Sequence, residues 1–201
     1  MLQVFADGAD FHKATAARMS SHPIDKITHE ERQAAKPLAF GLLYGMGAAA
    51  LADYAYNSYG IKLMLTEAAK LRDAFFRAYS QFRQWQKTQS RKVAGSPGML
   101  AHTCLGRPVE CTKSVEDGGP FHYTRSLNVP IQGSCAEALL EALAALPEAI
   151  TDLDAAPALC VHDEIILSVA ETDAEEAARR LERVMAKAFL RIYPNHPDIG
   201  L

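Results

Sequence analysis

The chain has 201 residues and a net charge of −3, with 49% hydrophobic and 22% charged residues, which predicts a globular protein of one domain or two small lobes. No apolar run approaches the roughly 18 residues that span a bilayer, and no signal peptide opens the sequence, so we expect a cytoplasmic location. The four cysteines show no CxxC spacing, which predicts reduced thiols and no metal–thiolate site.

Charge is unevenly distributed along the chain. From Lys62 to Lys92 there are eight basic and two acidic residues, whereas Ser126–Ala178 holds eleven acidic residues and no Lys or Arg. The first segment can face phosphates, and the second can supply the carboxylates that a metal-dependent phosphoryl site requires. An uneven distribution of charge also occurs in proteins that bind neither phosphates nor metals, so it supports a phosphoryl site without proving one.

The first predicted elements are a short lead-in and a helix within residues 1–20. Asp7-Gly8 indicates a turn, and Asp10 is a candidate N-cap for the helix that follows. His12 lies at the start of that helix. By itself, a histidine in this position is more often structural or solvated than a ligand.

The most informative predicted helix lies within Thr28–Gly47. Thr28 and Glu31 have the spacing of a capping box. Four side chains recur every four residues and therefore form one slowly winding stripe about 18 Å long; they are Arg32, Lys36, Phe40 and Tyr44. The cations can bind neighbouring phosphates, and the rings can contact a sugar or a base.

The same spacing has a simpler interpretation, which is the more common one for spacing alone. Arg and Lys at i, i+4 usually lie on a solvated helix face, and Phe and Tyr at this spacing usually belong to a core. Pro37 lies inside the helix and removes one hydrogen bond, so we expect a kink or a loosened turn there. Gly41 and Gly45 each follow an aromatic residue and leave room for another chain to approach.

Helices and extended segments alternate through the rest of the chain. We predict helices over Ala48–Ser58 and from a cap at Thr66 to about Val93, and an extended segment over 99–111 that turns near Gly106. Gly133–Leu146 has helical periodicity, and Asn128 and Gln132 lie just before this stretch. These two amides can bond to minor-groove acceptors, which are nearly alike for all base pairs; the simpler interpretation is a capped helix start.

Two β-rich runs flank His162-Asp163 within Ala158–Val169 and predict a tight hairpin with an acid at its tip. A His-Asp pair can also be an ordinary turn. Thr172 and Glu175 then predict the cap of a final amphipathic helix.

Four strings of the sequence resemble family A DNA polymerases, the bacterial DNA polymerase I group. Arg32-x3-Lys36-x3-Phe40-Gly-x2-Tyr44-Gly resembles the nucleotide-binding helix of that family. The other three are Gly8-x-Asp-Phe-His12-x3-Ala, Arg125-x2-Asn128-x-Pro-x-Gln132-Gly and Val161-His-Asp-Glu164. They occur in the family's order over nearly the whole chain.

The resemblance implies roles for the residues of the first half. His12, Arg32 and Lys36 are expected to hold the triphosphate of a dNTP. Phe40 is expected to pack on its sugar, and Tyr44 is expected to stack at the template position. The resemblance also implies a catalytic role for Lys36.

In the second half, the resemblance implies contacts with primer–template DNA and with metal. The expected DNA contacts are Arg125, Asn128, Gln132 and His162. Asp163 is expected to bind Mg²⁺ in a two-ion site, with Glu164 beside the metal and His162 near the primer end; all three are counted as catalytic.

The implied fold is α+β and mainly helical, with polymerase fingers helices and part of an antiparallel palm sheet that carries a β-hairpin. We predict a fingers subdomain over 6–120, with the nucleotide-binding helix at about 29–45, and a partial palm over 121–201. The family's upstream aspartate motif and thumb have no counterpart in these residues. The expected function is therefore dNTP transfer to a primer by a polymerase that is present here in part. The alternatives are a catalytically incomplete nucleotide- or DNA-binding remnant, or one half of a split polymerase whose partner chain supplies the missing parts. A structural or interaction protein that kept only the fold is a third alternative, and the intact Arg32, Lys36 and Asp163 argue against it.

Overall fold

The computed structural model describes residues 2–20, 22–113 and 121–194. Its α-helices within these ranges are α1 Leu2–Ala6, α2 Phe11–Ser20, α3 His29–Leu43, α4 Ala48–Tyr59, α5 Leu65–Ala78, α6 Ser80–Ala94, α7 Tyr123–Asn128, α8 Ser134–Ala149 and α9 Ala174–Ile192. The strands are β1 Leu100–His102, β2 Pro108–Glu110, β3 Ala155–Val161 and β4 Glu164–Val169, paired as two separate antiparallel hairpins. The predicted mainly helical α+β class is confirmed.

The chain forms two compact units. The first comprises Met1–Met99 and Cys111–Leu127, and the second comprises Leu100–Glu110 and Asn128–Leu201. The β1–β2 hairpin thus groups with the second unit although the first unit surrounds it in sequence. The fingers and palm limits at 6–120 and 121–201 remain a prediction.

The core of the first unit lies between α3, α4 and α5. Leu42 and Leu51 are fully buried, as is Phe75, and the rings of Phe75 and Tyr79 lie 4.9 Å apart. Helix α3 is central because its apolar residues face this core while its first turns face α2. Helix α3 is therefore held on two sides, and this fixes the position of the residues along it.

The start of α3 is the capping box that the sequence predicts. The Glu31 amide donates to Thr28 Oγ1 at 3.2 Å, and the Thr28 amide donates to Glu31 Oε2 at 2.9 Å. Pro37 lies inside the helix and is buried, yet helical structure runs from His29 to Leu43. The helix tolerates the proline because packing on both sides offsets the missing hydrogen bond.

The predicted long helix from Thr66 to Val93 is wrong in two respects. It is divided at Tyr79, whose φ of −122° and ψ of 55° are not helical. The Tyr79 hydroxyl lies 2.9 Å from Thr15 Oγ1 in the core, so a tertiary contact holds the break. The helix also begins earlier, because Glu67 Oε2 accepts the Met64 amide at 2.8 Å and makes Met64 the N-cap.

The second unit has its core between α8, α9 and the β3–β4 hairpin. Leu146, Ile150 and Ile165 are buried there. A π-helical turn, Val129–Gly133, precedes α8. Helix α9 follows a 3₁₀ turn, Glu171–Asp173, so its N-cap is Asp173 and not the expected Thr172.

One described helical stretch, Tyr123–Ala149, is long and apolar enough to cross a membrane by length and composition. About a third of its most apolar window is buried inside the protein. Core helices of globular proteins pass the same test, and α8 packs against α9 here, so this stretch is weak evidence for a membrane span.

Candidate functional site

The N-terminus of α2 is joined to α3 through one carboxylate. Asp10 Oδ1 accepts the Lys13 amide at 2.9 Å, as an N-cap does, and Asp10 Oδ2 accepts Nε–H of Arg32 at 2.6 Å. Burial raises the pKa of Asp10, but the hydrogen bonds from Lys13 and Arg32 outweigh it, and the pKa lies below its usual value. The sequence indicated the cap but not the bond to Arg32.

His12 lies between Phe11 and Phe40, with its ring centroid 5.2 Å from that of Phe40. Burial lowers the pKa of His12, and the positive charges of Arg32 and Lys36 lower it further, against the opposing effect of Asp10. The ring is therefore neutral near pH 7. Its buried Nδ1 has no hydrogen-bond partner within the described residues, which favours the tautomer with the proton on Nε2.

Lys36 completes this cluster. It follows Arg32 by one turn of α3, and its positive charge contributes to the lowered pKa of His12. The half-buried Lys36 side chain forms no hydrogen bond or ion pair with any part of the chain that the structure describes. Two cations, a neutral imidazole and the exposed ring of Phe40 thus share one surface of α2 and α3.

Tyr44 lies one turn beyond this cluster, at the end of α3. It is the C-cap residue, with a φ of −83°, and its side chain is half-buried. Burial, and then the neighbouring Tyr59, raise the pKa of Tyr54, with the smallest contribution from Tyr44. Tyr44 therefore lies at the end of the helix, one turn beyond Phe40.

The end of α3 is fixed by a glycine and by a glutamine. Gly45 has a φ of 81°, its amide donates to Leu42, and the next amide, of Met46, donates to Gly41 at 2.9 Å; these are the two bonds of a Schellman motif. The buried Gln86 amide group donates to the carbonyls of Leu42 and Leu43 at 2.9 and 3.3 Å. No pattern in the sequence indicated this role of Gln86, because a glutamine on a helix is usually solvated.

The predicted hairpin with the acid at its tip is present. Val161 pairs with Glu164, so His162 and Asp163 form a two-residue loop. His162 has a φ of 55°, which costs a non-glycine residue about 1–3 kcal/mol and is required at a central position of the tight turns that join hairpin strands. His162, Asp163 and Glu164 are exposed, and their side chains have no partner among the described residues.

Asp163 is suited to binding a cation. It lines a cavity of about 260 Å³ whose other walls are mostly apolar and come from α8 and α9. Mg²⁺ is commonly bound by one or two carboxylates together with water and substrate phosphates, and the unpaired Asp163 fits one such ligand. No group of three or more His, Cys, Asp or Glu in the described ranges could hold a metal ion.

Three of the predicted DNA contacts of the second half, Arg125, Asn128 and Gln132, lie on the helical stretch that starts at Tyr123. Arg125 and Gln132 are exposed and Asn128 is half-buried, and none of the three side chains is hydrogen-bonded within the described ranges. Gln132 lies in the π-helical turn, a rare element that is frequent at functional sites. All three polar groups remain available to a ligand.

A sequence model of DNA polymerase family A matches residues 1–193. The chain belongs to DNA polymerase family A. It is similar to DNA polymerase I of Aquifex aeolicus (strain VF5), with 34% identity over 190 residues that cover 94% of this chain and 32% of the relative. It is also similar to the thermostable DNA polymerase I of Thermus caldophilus, with 28% identity over 205 residues that cover 100% of this chain and 24% of the relative.

A solved family A structure shows the same fold. It is the POL domain of Pol1 from M. smegmatis in complex with DNA primer-template and dNTP, with a TM-score of 0.75 and 28% identity. The match covers 92% of this chain and 32% of that chain. The chain thus spans about a third or less of the length of these relatives.

Proposed function

We propose that this chain takes part in template-directed DNA synthesis by binding the incoming dNTP and supplying one metal-binding carboxylate. The observation that carries the proposal is the surface shared by α2 and α3. The ring centroids of His12 from α2 and Phe40 from α3 lie 5.2 Å apart. Asp10, at the start of α2, accepts a hydrogen bond from Arg32 of α3, and Lys36 follows Arg32 by one turn. A solvated helix face would not require His12 from a second helix, and a core would not leave Phe40 38% exposed.

Arg32 and Lys36 hold the triphosphate. Arg32 keeps its terminal nitrogens for a phosphate because only Nε bonds to Asp10. Lys36, which lacks an ion pair within the described residues, acts as a second positive charge. Both cations stabilise the negative charge that develops on pyrophosphate as it leaves. Neutral His12 donates Nε2–H to a phosphate oxygen, and Phe40 packs on the sugar.

The DNA is bound by groups outside this cluster. Tyr44 stacks at the template position at the end of α3. Asn128 and Gln132 bond to minor-groove acceptors of the primer–template, which tests the shape of base pairs without reading sequence. Arg125 bonds to the DNA backbone, and His162 lies near the primer end.

Asp163 binds Mg²⁺, with Glu164 beside the metal site. A pair of bound ions supplies stabilisation of the attacking and leaving oxygens in such reactions. The primer 3′-hydroxyl attacks the α-phosphorus of the dNTP, and the bond to pyrophosphate breaks. The hairpin presents Asp163 at its tip because Val161 and Glu164 pair on either side of the two-residue loop.

A second carboxylate is expected from protein outside these 201 residues, either a further segment or a separate chain. A cytoplasmic location accompanies this proposal. The alternative of a nucleotide-binding remnant without catalysis is favoured by one observation, which is that the described residues contain no group of three or more His, Cys, Asp or Glu that could hold a metal ion.

Binding of a fluorescent dNTP to the purified chain tests the proposal. We expect Lys36→Ala to weaken binding about tenfold or more, since a hydrogen bond to a charged group contributes about 1.5–3 kcal/mol. Lys26→Ala removes an equal charge from an exposed residue outside the cluster and is expected to have little effect. Asp163→Ala should retain binding in the absence of Mg²⁺. Equal losses from Lys36→Ala and Lys26→Ala would contradict the assignment.

Primer extension separates the proposal from its alternatives. With Mg²⁺ and all four dNTPs, we expect the 201-residue chain alone not to extend a primer at a useful rate, because one carboxylate holds a metal pair weakly. Robust synthesis by the chain alone would show that it supplies every required ligand. If extension appears only when an upstream polymerase fragment is added, and Asp163→Ala abolishes it, the remnant hypothesis is excluded.

A further inference from the structure

Two exposed cysteines lie on either side of the π-helical turn that precedes α8. Cys104 belongs to the turn that joins β1 to β2, and Cys135 belongs to the first turn of α8. Both are free thiols of the second compact unit. The chain has two further cysteines, of which Cys111 is buried and Cys160 is exposed on β3. A reagent in solution therefore has access to the thiols of both Cys104 and Cys135.

The turn that carries Cys104 is bonded to the residue directly before Cys135. The Cys104 amide donates to Ser134 Oγ at 2.8 Å. Because Ser134 and Cys135 are adjacent, this bond keeps the Cα atoms of the two cysteines within roughly 10 Å of each other. A disulfide forms between Cα atoms about 4.4–6.8 Å apart, so the turn has to move by no more than about 3 Å.

The thiols are further linked to two consecutive carbonyls of the π-helical turn. Cys104 Sγ donates to the Pro130 carbonyl at 3.8 Å. Cys135 Sγ lies 4.0 Å from the Tyr193 hydroxyl, and that hydroxyl donates to the Ile131 carbonyl at 3.4 Å. The link is thus direct for Cys104 and passes through Tyr193 for Cys135.

The contacts of the Cys104 side chain are weak enough to be exchanged for a covalent bond. An S–H group is a weak donor, and the turn is exposed from Cys104 to Arg107. Gly106 within it has a φ of 90°, and a Cβ built there would meet no atom within 4 Å. Open space around the turn therefore leaves room for the movement that a bridge requires.

We propose that Cys104 and Cys135 form an oxidation site at which a low-molecular-weight disulfide converts the two thiols into an intramolecular bridge. One thiolate attacks the reagent and releases the first reagent thiol. The other thiolate then attacks the cysteine sulfur of the mixed disulfide and releases the second. The two cysteines lose two electrons and two protons, and the reagent is reduced to two thiols. The bridge joins the β1–β2 turn to α8 across the π-helical turn that carries Gln132.

The test exposes the full chain to glutathione disulfide near pH 8. Remaining thiols are alkylated, and the protein is mapped by mass spectrometry without reduction. We expect the loss of both thiols, a bridge between Cys104 and Cys135, and no glutathione on either residue. Dithiothreitol should restore the two thiols. In urea, the yield of this bridge should fall severalfold, because the unfolded chain no longer holds the turn beside α8.

Single substitutions test the second step of the reaction. Cys104→Ser removes the thiol that resolves the mixed disulfide, so Cys135 should retain glutathione, and Cys135→Ser should leave glutathione on Cys104. Cys160→Ser is the matched control, since it removes an exposed thiol from β3 and should leave the yield of the bridge unchanged. Circular dichroism confirms that each variant is folded.

Several outcomes would overturn the inference. They are an absence of reaction at the two thiols, glutathione that persists on both residues of the wild-type chain, a bridge from either residue to Cys111 or Cys160, and an equal yield of the bridge in urea. None of these measurements involves nucleotide or DNA, so the result is independent of the proposed function.

Discussion

Asp10 accepts a hydrogen bond from Nε of Arg32 at 2.6 Å and at the same time caps α2 through the Lys13 amide. One carboxylate thus orients the cation that we propose for phosphate binding and places a negative charge beside it. These two effects oppose each other when an anion binds.

Asp10→Asn removes the negative charge and leaves one acceptor oxygen in place of two. That oxygen can accept from Lys13 or from Arg32 but not from both. Because the charge beside Arg32 is gone in either case, we expect dNTP affinity to rise by about two- to fivefold. Asp10→Ala loses both acceptors and the cap, so we expect weaker nucleotide binding and a loss of about 0.5–2 kcal/mol in the free energy of unfolding. Nucleotide titrations and urea denaturation measure the two quantities; weaker binding in Asp10→Asn would contradict the argument.

The lowered pKa of His12 predicts a pH dependence of stability. The unfolded chain binds a proton at this residue near its ordinary pKa of 6.5, whereas the folded chain binds it only at lower pH. Neutral His12 therefore stabilises the fold fully above about pH 6.5, and the contribution is lost as pH falls from there towards the folded-state pKa. The difference in unfolding free energy between wild type and His12→Gln should shift against wild type as the pH falls from above this range to below it. A constant difference would show that His12 is not buried as described.

Gly45 and Gly60 both have a positive φ. Comparing an alanine at each position distinguishes the energetic cost of backbone strain from that of overpacking. A Cβ on Gly60 would meet no atom within 4 Å, whereas a Cβ on Gly45 would lie 2.7 Å from Leu127 Cδ1 and 3.0 Å from Tyr123 Cε1. We expect Gly60→Ala to cost about 1 kcal/mol from its left-handed backbone and Gly45→Ala a further 1–3 kcal/mol, roughly, from overpacking. Thermal or urea unfolding measures both; equal losses would show that the space around Gly45 adapts.

Gln86 is expected to be a structural residue of the nucleotide-binding helix. Gln86→Leu leaves the carbonyls of Leu42 and Leu43 without their side-chain donor in a buried place, so we expect a loss of about 1–3 kcal/mol. Gln81→Leu is the control, because Gln81 is exposed on the same helix and surface changes usually stay within about 0.5 kcal/mol. Equal stability of the two variants would rule out this role.

The sequence predicts the ends of helices and strands correctly where they are set by residues that are close to each other in the sequence. The Thr28–Glu31 capping box and the two-residue loop at His162-Asp163 are both of this kind, and both are present. The break at Tyr79 was missed because a distant residue, Thr15, holds it. The same limit applies to the candidate site. The spacing of Arg32 and Lys36 was visible, but the pairing of Arg32 with Asp10 depends on how α2 packs against α3.

Neither of the two units can be expressed as one continuous segment of the sequence. The polypeptide passes between the two units after Met99, after Glu110 and after Leu127. A single protease cut or a single truncation point therefore cannot release either unit with all of its own segments. A recombination event that exchanged one unit for that of a relative would need breakpoints at each of these passages.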